Sequence, residues 1–114
     1  MSSDFLVKNS NFYKSKLYFS KYELKSILSF YSFGVSKGYW KDYSINFKTN
    51  EAIFSIYKHA FASPTYCLIK YKLKKKSRVL YKLKETKMNN KNQNVKNFEE
   101  LIIYLKRSNL KIIN

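Results

Sequence analysis

The densest chemistry in this sequence is cationic. Lys70, Lys72, Lys74, Lys75, Lys76 and Arg78 crowd into one short stretch, and Lys82 follows it. Ammonium groups at that density suit phosphate neutralisation. Each phosphate paired releases condensed counterions, which drives binding and makes it weaken with salt. On a hairpin, Lys70 and Lys72 are expected to project from one face, with Lys74, Lys75 and Lys76 in the turn. A second, sparser basic region holds Lys8, Lys14 and Lys16. A solvated, solubilising sheet face is the bland reading of such lysines. The cluster favours a nucleic-acid backbone over it.

Catalytic chemistry is thin by contrast. Cys67 is the only cysteine and His59 the only histidine, so neither a disulfide nor a zinc site can be assembled from them. A Cys67/His59 nucleophile–base pair is conceivable only if folding brings the two together. The seven acids are Asp4, Glu23, Asp42, Glu51, Glu85, Glu99 and Glu100. Glu23 and Glu100 are explained as helix caps, and Glu99 suits a helix first turn. Gly34 and Gly38 are the only glycines, so no phosphate-cradling loop is encoded. The expectation is a binding protein with no catalytic role, no metal and no cofactor.

The 114 residues carry 23 Lys plus Arg against 7 Asp plus Glu, a net charge of +16. Self-repulsion of that size favours a polyanionic partner. AT-rich codons account for lysine over arginine and for the eleven tyrosines. They do not account for lysine over glutamate, which is also AT-rich. The charge excess is therefore informative, and the aromatic excess is not. Only Arg78 and Arg107 are arginines, so bidentate reading of base edges should be minor. Shape and backbone recognition of a structured RNA is the better expectation. Tyr22, Tyr39, Trp40 and Tyr43 could stack on bases, but core or half-buried roles explain most of them. No apolar run approaches the roughly 20 residues of a membrane span. The N-terminal residues lack both a secretory core and an Arg-rich presequence. The expectation is no membrane insertion, and synthesis in an AT-rich organelle, with a mitochondrial (matrix) location.

These residues need elements to position them. The spacing predicts a short helix over 3–10 and a short strand over Lys16–Phe19. Ser20-Lys21-Tyr22-Glu23 forms a capping box, and Leu24, Ile27, Leu28, Tyr31 and Val35 form the apolar stripe of the helix it opens. Gly38 is the expected stop, with Gly34 a possible earlier one. Tyr39–Phe47 and Ala52–Lys58 alternate around a polar turn and predict a hairpin. Thr65–Leu73 and Arg78–Leu83 predict two more strands. Residues 86–96 are Asn/Lys-rich and predict a polar loop without packed structure. Asn97 and Glu100 open a second helix with Phe98, Leu101, Ile102 and Leu105 as its stripe, and Leu110–Ile113 predicts a final strand. The fold class is α+β. Two small lobes are expected, α-β-α-β-β over 1–63 and β-β-α-β over 64–114, meeting near Pro64.

On these residues the chain resembles the family of the eighth protein of the small ribosomal subunit, in a divergent organellar form. Lys8-Asn9-Ser10 stands at that family's Arg-Asn-Gly-like turn, and Leu17 and Phe19 at its strand. Glu23-Leu24-Lys25-Ser26-Ile27-Leu28 stands at its helix start. Gly38-Tyr39-Trp40-Lys41-Asp42-Tyr43-Ser44-Ile45 is similar to its Gly-Phe-Ile-x-Asp-Phe-x-Val stretch. Ser77-Arg78-Val79-Leu80-Tyr81 is similar to its Arg-Pro-Gly-Leu-Arg-x-Tyr segment without the Pro-Gly. The resemblance implies a constituent of the mitochondrial small ribosomal subunit that binds the central, platform-forming domain of small-subunit rRNA. It adds Asn9 and Ser10 to the RNA-contacting residues and implies neighbouring ribosomal proteins as partners. The family's Thr-Ser-Lys-Gly-type motif is missing after Asn114. The C-terminal lobe is then expected to be truncated, its last strand an exposed edge covered by a separate chain. Two alternatives are another basic organellar ribosomal protein and a peripheral subunit of an organellar membrane complex.

Overall fold

The computed structural model describes residues 16–59, 62–73, 78–86 and 91–113, with side chains undescribed at 91 and 110–113. The helix expected over 3–10 lies outside these residues. The order is helix α1 (Lys21–Ser36), strands β1 (Asp42–Phe47), β2 (Glu51–Tyr57), β3 (Tyr66–Lys72), β4 (Val79–Glu85) and β5 (Lys91–Val95), then helix α2 (Phe98–Ile113). The strands form one antiparallel sheet in the order β1-β2-β3-β4-β5, each paired with its sequence neighbours. The α+β class is as expected. The division expected at 63/64 falls in the β2–β3 connection, and the two halves contribute adjacent strands, with Ile56 opposite Tyr66.

Helix α1 starts where its capping box requires. The Ser20 Oγ accepts from Glu23 N–H at 3.1 Å, and Glu23 Oε1 accepts from Ser20 N–H at 2.8 Å. Gly38, at φ +79°, takes the left-handed conformation that lets the chain leave the helix. Gly34 does not end the helix. A Cβ there would lie 1.8 Å from Trp40 Nε1, so the glycine makes room for the buried indole. Ile27 is fully buried on the expected stripe, while Val35 at its end is exposed.

Period two then sorts the strands. Ile45, Phe54, Leu68, Leu83 and Gln93 stand opposite one another across the sheet and share one face. Both helices pack on that face. Tyr31 of α1 meets Tyr43 and Phe54, and Phe98 of α2 meets Tyr81. The core between sheet and helices holds Ile27, Phe54, Ile56, Tyr66, Leu68, Leu83, Leu101 and Leu105.

Three expected elements are corrected. Lys16–Phe19 is not a strand of the sheet. It runs beside the β1–β2 turn, where Leu17 N–H donates to Lys48 O at 3.0 Å. Within the supposed loop 86–96, residues 91–95 are β5, and residues 87–90 lie outside the described residues. β5 is an edge strand whose Asn92 and Asn94 face solvent, so its only strong apolar mark is Val95, packed in the core. Leu110–Ile113 is the last turn of α2 and not a strand. No glycine or proline interrupts the helical run from Phe98, so the helix continues. The expected exposed edge strand, and the need for another chain to cover it, disappear with it.

Candidate nucleic-acid interface

The β3–β4 hairpin holds most of the candidate cations, and it divides them. Lys72, at the end of β3, is exposed, and Arg78, just before β4, is exposed. Lys72 N–H donates to Asn50 O at 3.0 Å, which ties that end of the hairpin to the β1–β2 turn. Lys82 is half-buried on β4, and Lys16 is exposed at the start of the described chain. Lys8, Asn9, Ser10, Lys14, Lys74, Lys75 and Lys76 lie outside the described residues.

Lys70 does not belong to a solvent-facing patch. It is 9% exposed and sits on the helix-covered face, opposite Ala52 and Tyr81. Its ammonium donates to Glu23 Oε1 and to Tyr18 O, each at 2.8 Å. The Tyr81 hydroxyl donates to Glu23 Oε2. Alternation correctly puts Lys70 and Lys72 on the same face, but α1 covers only the first of them. Glu23 therefore caps α1 and also neutralises a buried lysine. Burial by itself would raise the Glu23 pKa. Hydrogen bonds from Lys70, Tyr81 and the Ser20 N–H outweigh it and hold the carboxyl below its ordinary range. Burial, and next the bond to Glu23, push the Tyr81 hydroxyl well above its ordinary value.

The other face of the sheet has a different content. Among the described residues no helix packs on it. The pairing places Cys67, Ile69 and Tyr71 of β3 beside Lys84, Lys82 and Leu80 of β4, with Asn92 and Asn94 of β5 beyond. Lys82 Nζ lies 5.2 Å from the centroid of the Tyr71 ring. Lys84 is exposed. On the β1–β2 side, Tyr57 and Ser44 share a 3.1 Å hydrogen bond between their hydroxyls. The two acids of this face, Asp42 and Glu51, lie on β1 and β2, so the β3–β4 half is the cationic one.

Sequence reasoning missed Lys84 and Tyr71. The signal was present in the alternation of Leu80, Lys82 and Lys84, which puts two lysines on one face. It was masked because the cluster drew attention to the turn. Of the aromatics considered for stacking, Trp40 is buried against Phe30, Tyr39 and Tyr66, and Tyr39 is half-buried. Tyr22 is exposed but packs edge-on against Phe98 on the helix side. Tyr43 lies stacked on Phe54, with ring centroids 5.0 Å apart.

Cys67 and His59 do not form a common site by any contact among the described residues. The Cys67 thiol meets Ser55 Oγ at 3.6 Å, and His59 is exposed beyond the end of β2. No group of three or more His, Cys, Asp or Glu side chains suited to a metal occurs among the described residues. No helix described is long and apolar enough to cross a membrane. Between α1 and α2 lies an open groove of about 790 Å³, floored by Phe30, Phe98 and Ile102 and rimmed by Lys25, Glu99 and Lys106. It lies on the opposite side of the molecule from Lys82 and Lys84.

A family described as a protein of unknown function (DUF2794) matches residues 17–109. No curated protein and no solved structure matches the chain. The match spans the whole described fold, from the segment before α1 into α2, and the chain belongs to that family. This overturns the resemblance to the eighth small-subunit ribosomal protein, for no ribosomal family is detected. The Gly38–Ile45 stretch that suggested it is a turn and strand start whose residues serve local packing. Gly38 ends α1, Trp40 fills the space left by Gly34, and Tyr43 lies against Phe54.

Proposed function

We propose that this member of the DUF2794 family is a non-enzymatic nucleic-acid-binding protein whose partner is an RNA, held through its sugar–phosphate backbone by the β3–β4 hairpin. One observation carries this reading: on that hairpin the strand acid Glu85 is inside, the buried Lys70 is neutralised by Glu23, and the other described cations are exposed or half-buried. Glu85 is buried, and Glu23, which reaches the hairpin from α1, is taken up by Lys70. Lys72, Arg78 and Lys84 are exposed, Lys82 is half-buried, and the connection between the strands adds Lys74, Lys75 and Lys76 by sequence. With a chain charge of +16, such segregation favours a polyanion over an uncharged partner. The composition also fits an AT-rich genome, and synthesis and action in a mitochondrion form part of the proposal on that ground alone.

The test is binding of a labelled RNA by fluorescence anisotropy across salt concentrations. Log affinity should fall linearly with log salt, by roughly 0.7 to 0.9 per phosphate neutralised. Changing Lys72, Arg78 and Lys84 together to Ala should weaken all RNA sequences alike and make the slope shallower by about two to three. A flat salt response, or an unchanged slope in the triple variant, would overturn the proposal.

A further inference from the structure

The helix side of the molecule carries apolar surface that the fold itself does not use. The groove of about 790 Å³ between α1 and α2 has Phe30 and Ile102 half-buried at its floor. Three more of its large side chains stand out in solvent: Tyr22 is 60% exposed, Phe33 56% and Ile103 48%. Contiguous apolar surface of this kind marks an interaction site more often than an accident of composition. What fits the groove is written along α2. Glu99, Ile102, Ile103 and Lys106 line it from one stripe of that helix, spaced i, i+3, i+4 and i+7. Turned end for end about the point between Ile102 and Ile103, the stripe maps Glu99 onto Lys106 and Ile102 onto Ile103. A second α2 laid antiparallel to the first therefore meets acid with base at both ends and isoleucine with isoleucine between. Among the described residues, neither Glu99 nor Lys106 is paired with an opposite charge of its own chain.

We propose that this groove is a self-association surface, and that its occupant is the α2 stripe of a second copy of this chain, related to the first by a two-fold axis between Ile102 and Ile103. Such a contact is isologous: each copy gives and receives the same residues, so the pair closes as a dimer and does not grow into a filament. Exposed Tyr22 and Phe33 of α1 extend the apolar surface on the far side of the groove. The size of the helices sets the strength. Two helices of 16 residues are each about 24 Å long and about 10 Å wide, so the pair presents on the order of 500 Å² per copy. That is the low end for specific association, and it gives a dimer in reversible exchange with monomer. The net charge of +16 on each copy opposes pairing. The two Glu99–Lys106 contacts offset part of that repulsion, and salt screens charges further apart than about 8 Å at physiological ionic strength. None of this depends on RNA binding.

Sedimentation of the full, nuclease-treated chain at physiological salt, over concentrations from about 1 to about 300 µM, should show a monomer–dimer equilibrium. Thermal unfolding shows that each variant is folded. Ile103→Lys should weaken the dimer on the order of a hundredfold, because both copies lose the same apolar contact. Glu99→Lys and Lys106→Glu should each weaken it roughly tenfold, since each sets like charges against one another at both ends. Mixed in equal amounts, these two single variants should form a heterodimer tighter than either homodimer, and the chain carrying both changes should dimerise as wild type does. Rescue of that kind needs the two positions to face each other across copies, which a contact within one chain cannot imitate. A wild-type chain that stays monomeric throughout overturns the proposal, and so would the groove being filled by the chain's own residues 1–15. Association that Ile103→Lys leaves unchanged, or single charge variants that fail to rescue each other, overturns it as well.

Discussion

The two faces of the sheet are made from the same five strands, and they do opposite things with their polar groups. On the helix-covered face, Phe54, Leu68 and Leu83 are fully or almost fully buried, and the buried lysine there, Lys70, is held by the Glu23 carboxylate and a backbone carbonyl. On the other face, where no helix packs among the described residues, Lys84 has no acid opposite it and Lys82 rests over an aromatic ring. Lysine is thus used twice in one hairpin. Under α1 it is neutralised and costly to disturb. On the other face Lys84 is an exposed charge. What separates the uses is cover: a desolvated ammonium must find a carboxylate, while a hydrated one need not.

The sharpest way to break this comparison is to truncate neighbours that face opposite ways. Phe54→Ala should destabilise by roughly 3–5 kcal/mol, because it removes a ring packed against both Tyr31 and Tyr43 and leaves a cavity. Ile53→Ala, half-buried on the opposite face one residue earlier, should cost less, about 1 kcal/mol. Urea unfolding measures both. Equal costs would mean that the two faces are packed alike.

A slightly smaller effect is expected at the buried pair. Lys70→Met leaves Glu23 without its counter-ion and should cost about 3 kcal/mol near neutral pH. The sign of the pH dependence follows from Glu23. Its folded pKa lies below the ordinary value of 4.5. Its contribution is present in full above that unfolded value and is lost as pH falls through the lower folded one. Wild type should therefore lose stability below about pH 4.5, and Glu23→Gln should flatten that acid limb while lowering stability at neutral pH. A Glu23→Gln protein with an unchanged acid limb would show that the carboxylate is not held as described. After correction for folding, Lys70→Met should bind RNA as wild type does, in contrast to Lys72→Ala.

The smallest effect belongs to the exposed Lys84. Lys84→Ala should change unfolding stability by no more than about 0.5 kcal/mol, while weakening RNA measurably at low salt. A large stability loss would place Lys84 in the structural framework instead of the interface.

Much of the fold was legible because local chemistry and tertiary demand agree. The Ser20–Glu23 capping box, the Asn97 cap, the apolar stripes of both helices and the four alternating strands each carry a signal within a few residues of chain. Asn97 Oδ1 does accept from Glu100 N–H, at 2.9 Å. The misreadings occurred where the signal was weak or shared between states. β5 has Val95 as its single apolar residue, so it carries no alternation to read. The end of α2 is an apolar run too short to tell strand from helix by periodicity. The ribosomal resemblance drew on stretches along most of the chain, and its tightest one, Gly38–Ile45, is explained by packing around Gly34, Trp40 and Phe54.

The candidate site divides the same way. The sequence by itself determined a strongly cationic chain, lysines concentrated between residues 70 and 84, and their alternation along two strands, because these depend only on composition and on the period of a strand. It also determined that Lys70 and Lys72 share a face. Which face the helices cover was decided only by the tertiary structure. That choice depends on the summed packing of Ile27, Leu101, Leu105 and their partners, and no single hairpin encodes it. Covering that face made Lys70 the partner of Glu23, and left Lys84 exposed and Lys82 half-buried on the opposite face.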